Sequence, residues 1–435
     1  MKEATLSKGR KVWFAGYLAK LAGIFVVCTA LFFFLMVLAF CIPSEWVSEK
    51  QAESLAVFDE NGNENEYPFT RERLIWEWAF SHSRGAQLDN RTDYGMILNV
   101  VPDKPEASVF YKAMSCNDYA RYWHGYLVFL RPMMILFSYV QIRYIYMFLH
   151  LLLGMAVALR LQKNFGNRMV YLWTACLCVI YPIVIPFSLS YSSDFFVMMA
   201  AILIIDRAYL HKKNFSVEKR GVLFLILGML TSYVDMQTAP FVTLGVPLIY
   251  LMLLEHARFG KDSLRHNMWN LINVSMTWAF GYAGCWSMKW VVASPILKYN
   301  VVQEGVANGL RRVAANGSAA GERALESVRA VALNLFALLP PGVTSEDWKW
   351  FLCIIFLILV VLIVLFVKFH VDKDNLKPLF PFLIVAVYPY VWYVVLANQS
   401  RVHYIFTHRM QLLTLLGISI AYSKAVQIRR TSPKE

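Results

Sequence analysis

Long apolar runs recur along the chain, and short polar gaps separate them. A bilayer core of roughly 30 Å is crossed by a helix of about 20 mainly apolar residues, which is the usual length of these runs. They lie at about residues 13–42, 141–161, 169–188, 192–211, 221–235, 238–255, 269–292, 350–369, 378–397 and 409–424. The runs are continuous rather than alternating, and only helices or closed barrels satisfy the backbone in lipid. The pattern therefore predicts an all-α, polytopic membrane protein with about ten transmembrane helices.

Two gaps are much longer than the others, and we expect both to be extracytoplasmic segments of one integral membrane domain covering residues 1–435. The first, residues 43–140, has apolar positions at helical spacing and predicts helices that lie in the bilayer interface, with a break near Pro132. The second, residues 293–349, predicts a short helix pair that ends at Pro340.

Lysine and arginine fall in alternate gaps, and the positive-inside rule places those gaps and both termini in the cytoplasm. The basic gaps are residues 1–11, 160–168, 211–220, 255–266, 368–377 and 424–435. This topology accounts for the net charge of +13, so no nucleic-acid partner is expected. A content of 58% apolar residues excludes an ordinary soluble protein. The seven cysteines are scattered and show neither a disulfide framework nor zinc spacing.

The first candidate for chemistry is the segment LDNRTDYGMIL in the first long gap, which contains Asp89 and Asp93. If the segment is helical, two carboxylates four residues apart face the same way. Neighbouring carboxylates raise one pKa, which suits a general base. The alternative is a turn in a solvated loop.

Two further aspartates lie in very short outer gaps. Asp194 in SYSSDFF either caps the following helix or faces a wet cavity, because a charge at membrane depth is costly. Asp235 in SYVDMQTAP either forms a turn before a helix started by Pro240 or binds substrate.

The third candidate is basic: His124 and Arg131 before the second apolar run, and His403, His408 and Arg409 before the last. Arginine forks match phosphate oxygens, so these residues are candidates for binding a lipid phosphate or pyrophosphate. Ordinary contact with lipid headgroups is the alternative for the arginines, and structural hydrogen bonding is the alternative for the histidines. The chain carries no Gly-rich phosphate loop, so an activated lipid on the outer side is the expected energy donor.

A helical bundle with an aspartate-bearing first outer loop, acidic outer turns and basic interfacial residues resembles the C-type (GT-C) membrane glycosyltransferases. The segments LDNRTD, YWHGYLVFLRP and HYIFTHR also resemble those of multi-pass membrane proteins of Gram-positive bacteria. The first resemblance implies a polyprenyl-phosphate sugar donor and a glycan or lipid acceptor in the cell envelope or cell wall. The second resemblance implies a bacterial plasma membrane. The paired acidic signatures of that family are absent, since LDNRTD spaces its acids more widely.

The resemblance implies catalytic roles for Asp93 or Asp89 as base and for Asp194 as the second acid. Asp235, His124, Arg131, His403, His408 and Arg409 are then the substrate-binding candidates. A divalent metal such as Mg²⁺ or Mn²⁺ is possible if Asp93 and Asp194 meet. A transporter or flippase for a lipid-linked glycan or another anion is the second hypothesis, and an assembly component without chemistry is the third.

Overall fold

The computed structural model describes residues 2–61, 88–210, 215–313, 320–339, 360, 370–371 and 377–427. The α-helices are α1 Lys2–Cys41, α2 Glu45–Asn61, α3 Asn90–Leu98, α4 Val109–Ser115, α5 Leu127–Met133, α6 Tyr139–Phe165, α7 Asn167–Val179, α8 Leu189–Leu210, α9 Val217–Val234, α10 Phe241–Phe259, α11 Ser263–Leu297, α12 Val301–Val313, α13 Ala320–Phe336, α14 Phe380–Val395, α15 Ala397–Val402, α16 Tyr404–Thr407 and α17 Leu412–Ala425. Short 3-10 helices cover Ile185–Phe187, Gly260–Asp262, Lys377–Leu379 and His408–Gln411. Two-residue strands, His370–Val371 and Val426–Gln427, pair antiparallel. The predicted α-helical class is confirmed.

Several helices are long and apolar enough to cross a membrane. In the described residues these segments are Trp13–Cys41, Tyr139–Phe165, Leu189–Leu210, Phe241–Leu297, which contains both α10 and α11, and Lys377–Val395. The total of about ten spans therefore stays a prediction, and the run at 350–369 lies outside the described residues apart from Val360.

The third apolar run differs from the single helix predicted for it. Helix α7 ends at Val179, and the 3-10 turn Ile185–Phe187 separates it from α8. Pro182 and Pro186 lack the backbone N–H that a continuing helix needs, which explains the break. Helix α8 consequently begins at Leu189, so Asp194 lies inside the helix and does not cap it.

The stretch predicted to lie in the bilayer interface after residue 117 is instead buried in the protein. Trp123 is fully buried, and its indole N–H donates to the carbonyl of Cys285 at 2.7 Å. The N–H of Gly125 donates to the carbonyl of Tyr233 at 2.8 Å. Through these two hydrogen bonds the segment around Trp123 contacts both α9 and α11. The interfacial helix expected near 62–80 lies outside the described residues, whereas the helix pair of the second long gap is confirmed by α12 and α13.

Helices α9 and α11 pack backbone to backbone. A Cβ on Gly228 would lie 2.1 Å from the carbonyl oxygen of Trp278, and a Cβ on Gly281 would lie 2.3 Å from that of Leu225. Small residues at such crossings let membrane helices approach closely and gain packing energy. The α9–α11 pair therefore forms the most tightly joined part of the bundle.

The polar contacts collect at two opposite ends of the helices. At one, the basic end, Arg220 pairs with Glu255 at 2.7 Å, and the hydroxyl of Tyr250 donates to Asp206 at 2.7 Å. At the other, the loop end, helix α3 contacts the start of α8, and α13 contacts α15. Asp194 and Asp235 lie at the loop end, near the start of α8 and just after the end of α9, and Asp93 of α3 bonds to the start of α8 there.

We predict that Gly228→Ala lowers the free energy of unfolding by about 1–3 kcal/mol, because the new methyl group would overlap the Trp278 carbonyl. Thermal unfolding in detergent measures this. Gly23→Ala in α1 is the matched control, since its Cβ would meet no atom within 4 Å. Equal stability of the two variants would contradict the close crossing.

Candidate functional site

Asp93 joins the first long segment to the membrane helix α8. Its Oδ1 accepts hydrogen bonds from the Ser188 hydroxyl and the Ser190 N–H, both at 3.0 Å. Its Oδ2 accepts from the Leu189 N–H at 2.9 Å and from the Tyr139 hydroxyl at 2.8 Å. The carboxylate thus supplies the N-terminal cap that α8 lacks in its own sequence.

These four donors fill the lone-pair directions of the Asp93 carboxylate. Burial raises the pKa of Asp93 to about 6, although the hydrogen bonds from Leu189, Ser190 and Tyr139 act to lower it. The segment is a buried helix and not a solvated turn. Its geometry fits a residue that positions α3 on α8 better than one that presents an open oxygen to substrate.

We predict that Asp93 makes the stability of the protein depend on pH. Its folded-state pKa of about 6 lies above the ordinary value for aspartate, so the folded protein binds this proton more tightly than the unfolded chain. The contribution of Asp93 to the free energy of unfolding should therefore fall as the pH rises from about 4 to about 6. Melting temperatures of the wild type and Asp93→Asn measure this. The stability of the wild type relative to Asp93→Asn should fall as the pH rises across that window.

The control for this measurement is Ser188→Ala, which removes one donor to Asp93 but leaves the carboxyl group in place. It should lower stability while keeping the pH dependence. A difference between wild type and Asp93→Asn that stays constant over the window would refute the assigned titration.

Asp89 is the N-cap of α3. Its carboxylate accepts hydrogen bonds from the N–H of Thr92 at 3.1 Å and from the Thr92 hydroxyl at 2.5 Å. Burial lowers the pKa of His403, and the charge of Asp89 acts in the opposite direction.

Asp194 and Asp235, here called the acid pair, lie against each other inside the bundle. Asp194 Oδ2 accepts from the N–H of Ala239 at 2.9 Å and from the Thr238 hydroxyl at 3.0 Å. Asp235 Oδ1 accepts from the N–H of Thr238 at 2.9 Å, which makes the turn predicted before α10. Both carboxyl groups are almost completely buried.

The acid pair has fewer hydrogen-bond donors than two ionised carboxylates need. The remaining oxygens, Asp194 Oδ1 and Asp235 Oδ2, meet no hydrogen-bond donor among the described residues. Both carboxyl groups contact the same Thr238 hydroxyl, at 2.8 Å from Asp235 and 3.0 Å from Asp194, and this hydroxyl has only one hydrogen to give. Two buried negative charges on one hydroxyl repel strongly, and a proton held between the carboxyl groups would remove that repulsion.

A polar chain leads from the acid pair to α12. The Tyr122 hydroxyl donates to Gln237 Oε1 at 3.3 Å and accepts from Arg312 Nη2. The Arg312 guanidinium lies over the rings of Tyr122 and Trp286 at 5.5 and 5.9 Å, and its buried Nη1 has no partner in the described part of the chain. Sequence reasoning missed Tyr122, Gln237 and Arg312. The one available signal was the placement of Arg312 on a strongly amphipathic helix.

The basic candidates of the last gap are buried beside α8. The Arg409 guanidinium lies 3.9 Å from the centre of the Tyr191 ring and donates to the carbonyl of Ile405 at 2.8 Å. His408 Nδ1 lies 3.0 Å from the carbonyl of Tyr404, and burial lowers the pKa of His408 well below its usual value. Arg409 thus reaches the side of α8 next to Asp89 and Asp93, whose charges also reach Tyr191.

Arg131 is placed away from this cluster. It donates to the carbonyl groups of Ala39 at 2.9 Å, Ile42 at 2.7 Å and Val100. Two of these bonds satisfy carbonyls at the end of α1, and the third joins that end to the chain after α3, which is a structural task. Burial lowers its pKa to about 10.

His124 is also part of the framework. Its Nε2 lies 2.8 Å from the carbonyl of Tyr119 and therefore donates, and its Nδ1 lies 2.9 Å from the hydroxyl of Tyr126. Burial lowers its pKa to about 3, so the imidazole is neutral. Neither His124 nor Arg131 is positioned with the acid pair.

The metal expectation required Asp93 and Asp194 to meet, but their oxygens are bound to different groups. Asp93 holds the start of α8, and Asp194 holds the start of α10. Within the described ranges, no three His, Cys, Asp or Glu side chains gather as a metal-binding group.

No family model, curated protein or solved structure matches this chain. The fold defines an α-helical protein with several helices able to span a membrane. Its function must be inferred from the site itself.

Proposed function

We propose that the protein is a membrane glycosyltransferase that moves a sugar from a polyprenyl-phosphate donor to a glycan or lipid acceptor of the cell envelope. The observation that carries the proposal is the acid pair, which lies beside arginine and aromatic side chains at the loop end. We place this end at the outer face of a bacterial plasma membrane and both termini in the cytoplasm, since the basic gaps belong to the other end.

The proposed reaction is an inverting displacement. The singly protonated acid pair accepts a proton from the acceptor hydroxyl, whose oxygen forms a bond to the anomeric carbon. The bond from that carbon to the donor phosphate breaks, and the lipid phosphate leaves with the electron pair. Arg312 and Arg409 stabilise the departing phosphate as cations that form bidentate contacts.

The other candidates take supporting roles in this proposal. Asp93 positions α3 through its bonds to α8, and Asp89 caps α3, from where its charge acts on His403. Asp89 is the alternative base. Aromatic rings around the acid pair, among them Tyr122 and Trp286 with ring centres 6.2 Å apart, supply the apolar surface on which a sugar ring packs.

The test is sugar transfer from a polyprenyl-phosphate donor by purified protein. Asp194→Asn and Asp235→Asn should each lower the rate by about 10²–10⁴-fold, which is the usual size of a general-base contribution. Asp93→Asn should act through positioning and lower it less. Asp206→Asn is the matched control, because Asp206 is a buried carboxylate on the same helix α8 but at the basic end.

The variants are compared only after gel filtration and thermal unfolding have established that they are folded. Full activity of both Asp194→Asn and Asp235→Asn would exclude the acid pair as base. If Asp89→Asn alone abolished transfer, Asp89 would be the base instead.

A transporter or flippase for a lipid-linked glycan is the second candidate. The observation that favours it is the position of Asp194, a fully buried carboxyl group in α8, which is a helix able to span the membrane. A transporter exposes its site to both sides, whereas an enzyme of the proposed kind needs only an outer opening.

Labelling distinguishes the two candidates. We predict that a cysteine introduced by Ser193→Cys, one residue from Asp194, reacts with an impermeant thiol reagent only from the side of the loop end in sealed vesicles. Reaction from the basic end during turnover would favour the transporter.

A further inference from the structure

A cleft opens at the basic end, far from the acid pair. It has a volume of about 890 Å³ and lies between α1 and the first turns of α9 and α11. That size falls within the range of small-molecule sites. Its lining combines aromatic residues, two arginines and a buried amide: Trp13, Phe14, Arg220, Arg265, Trp269 and Asn270.

The positive charge in the cleft is only partly used by the protein. Arg220 is committed: it donates to the Phe215 carbonyl at 3.0 Å, to Asn270 Oδ1 at 2.8 Å and to Glu255 at 2.7 Å. Arg265 is exposed and has no partner among the described residues. The other charged residues that line the cleft, Arg220 and His266, both pair with Glu255, so Arg265 is the lining cation without an ionic partner in the described part of the chain.

Two features add to this preference for an anion. Helices α9 and α11 both begin at this end, so their N-termini place partial positive charge toward the cleft. Asn270 is 1% exposed, its Oδ1 is occupied by Arg220, and its Nδ2 meets no acceptor among the described residues. The polar groups still open to a ligand are therefore donors.

The apolar rim lies where lipid would surround the protein. Trp13 and Phe14 start the spanning segment Trp13–Cys41, and Trp269 lies in the spanning segment Phe241–Leu297. All three side chains are about half exposed. Tryptophan at this level is typical of the headgroup region of a bilayer. The cleft thus offers hydrogen-bond donors at the level of the lipid headgroups and an apolar wall at the level of the acyl chains.

We propose that this cleft binds an anionic phospholipid from the leaflet at the basic end. The lipid phosphate contacts Arg265 and the Asn270 amide, and the glycerol and upper acyl chain pack on Trp13, Phe14 and Trp269. Basic pockets between membrane helices recognise anionic headgroups in this way. The inference does not depend on sugar transfer.

The test is native mass spectrometry of the purified protein titrated with phosphatidylglycerol or phosphatidylcholine. We expect one phosphatidylglycerol to bind more tightly than phosphatidylcholine. Arg265→Gln should weaken phosphatidylglycerol binding about fivefold, because one basic residue contributes about 1 kcal/mol to such attraction. Arg207→Gln is the matched control. Arg207 is an exposed arginine of α8 that also lies at the basic end but outside the cleft, so its loss should leave the affinity for phosphatidylglycerol unchanged.

A second pair of variants tests the apolar wall. Trp269→Ala should weaken phosphatidylglycerol binding, whereas Trp46→Ala, at an exposed tryptophan of α2, should not. Equal losses with Arg265→Gln and Arg207→Gln would mean that surface charge alone attracts the lipid, and would overturn the site. Displacement of phosphatidylglycerol by millimolar inorganic phosphate would show a phosphate site without lipid selectivity, and would also overturn it.

Discussion

The arrangement of the loop end depends on one carboxylate at the start of a membrane helix. The N–H groups of Leu189 and Ser190 at the start of α8 have no acceptor within the helix, and because both residues are buried these groups must find acceptors elsewhere in the protein. Asp93 reaches them from a segment nearly a hundred residues earlier and binds the Tyr139 hydroxyl of α6 as well. The same contact fixes α3, the depth of α8 and therefore the position of Asp194 on the next turn.

The sequence predicted the helical class and the division into a basic and an acidic end, because apolar length and charge are local signals. It also singled out Asp194 and Asp235, since a charge beside so short a gap between apolar runs is unusual. It could not predict that both bind the Thr238 hydroxyl, because this arrangement depends on how α8 packs against the start of α10. For the same reason Arg131, which resembles a phosphate ligand in sequence, proves to bind the carbonyl groups of α1. Arg312 and Tyr122 were missed because their meeting joins residues 190 positions apart.

The acid pair illustrates how burial and function connect. Two carboxyl groups that form no ion pair among the described residues are costly to bury, and the donors of Thr238 and Ala239 lower that cost. Such a pair can accept or release one proton readily while the surrounding backbone stays fixed. A site that must move a single proton in a half-dry environment needs this property, whether the proton belongs to an attacking hydroxyl or to a transported species.

The glycine crossing of α9 and α11 links the two ends of the molecule mechanically. Helix α9, with 18 residues, is about 27 Å long; it begins at Val217 beside the cleft and ends at Val234, next to Asp235. Gly228 and Gly281 hold the backbones of α9 and α11 in contact, so the two helices must change their tilt together. A lipid in the cleft would contact the first turns of both helices, and a change in their common tilt would reach Asp235 at the opposite end of α9.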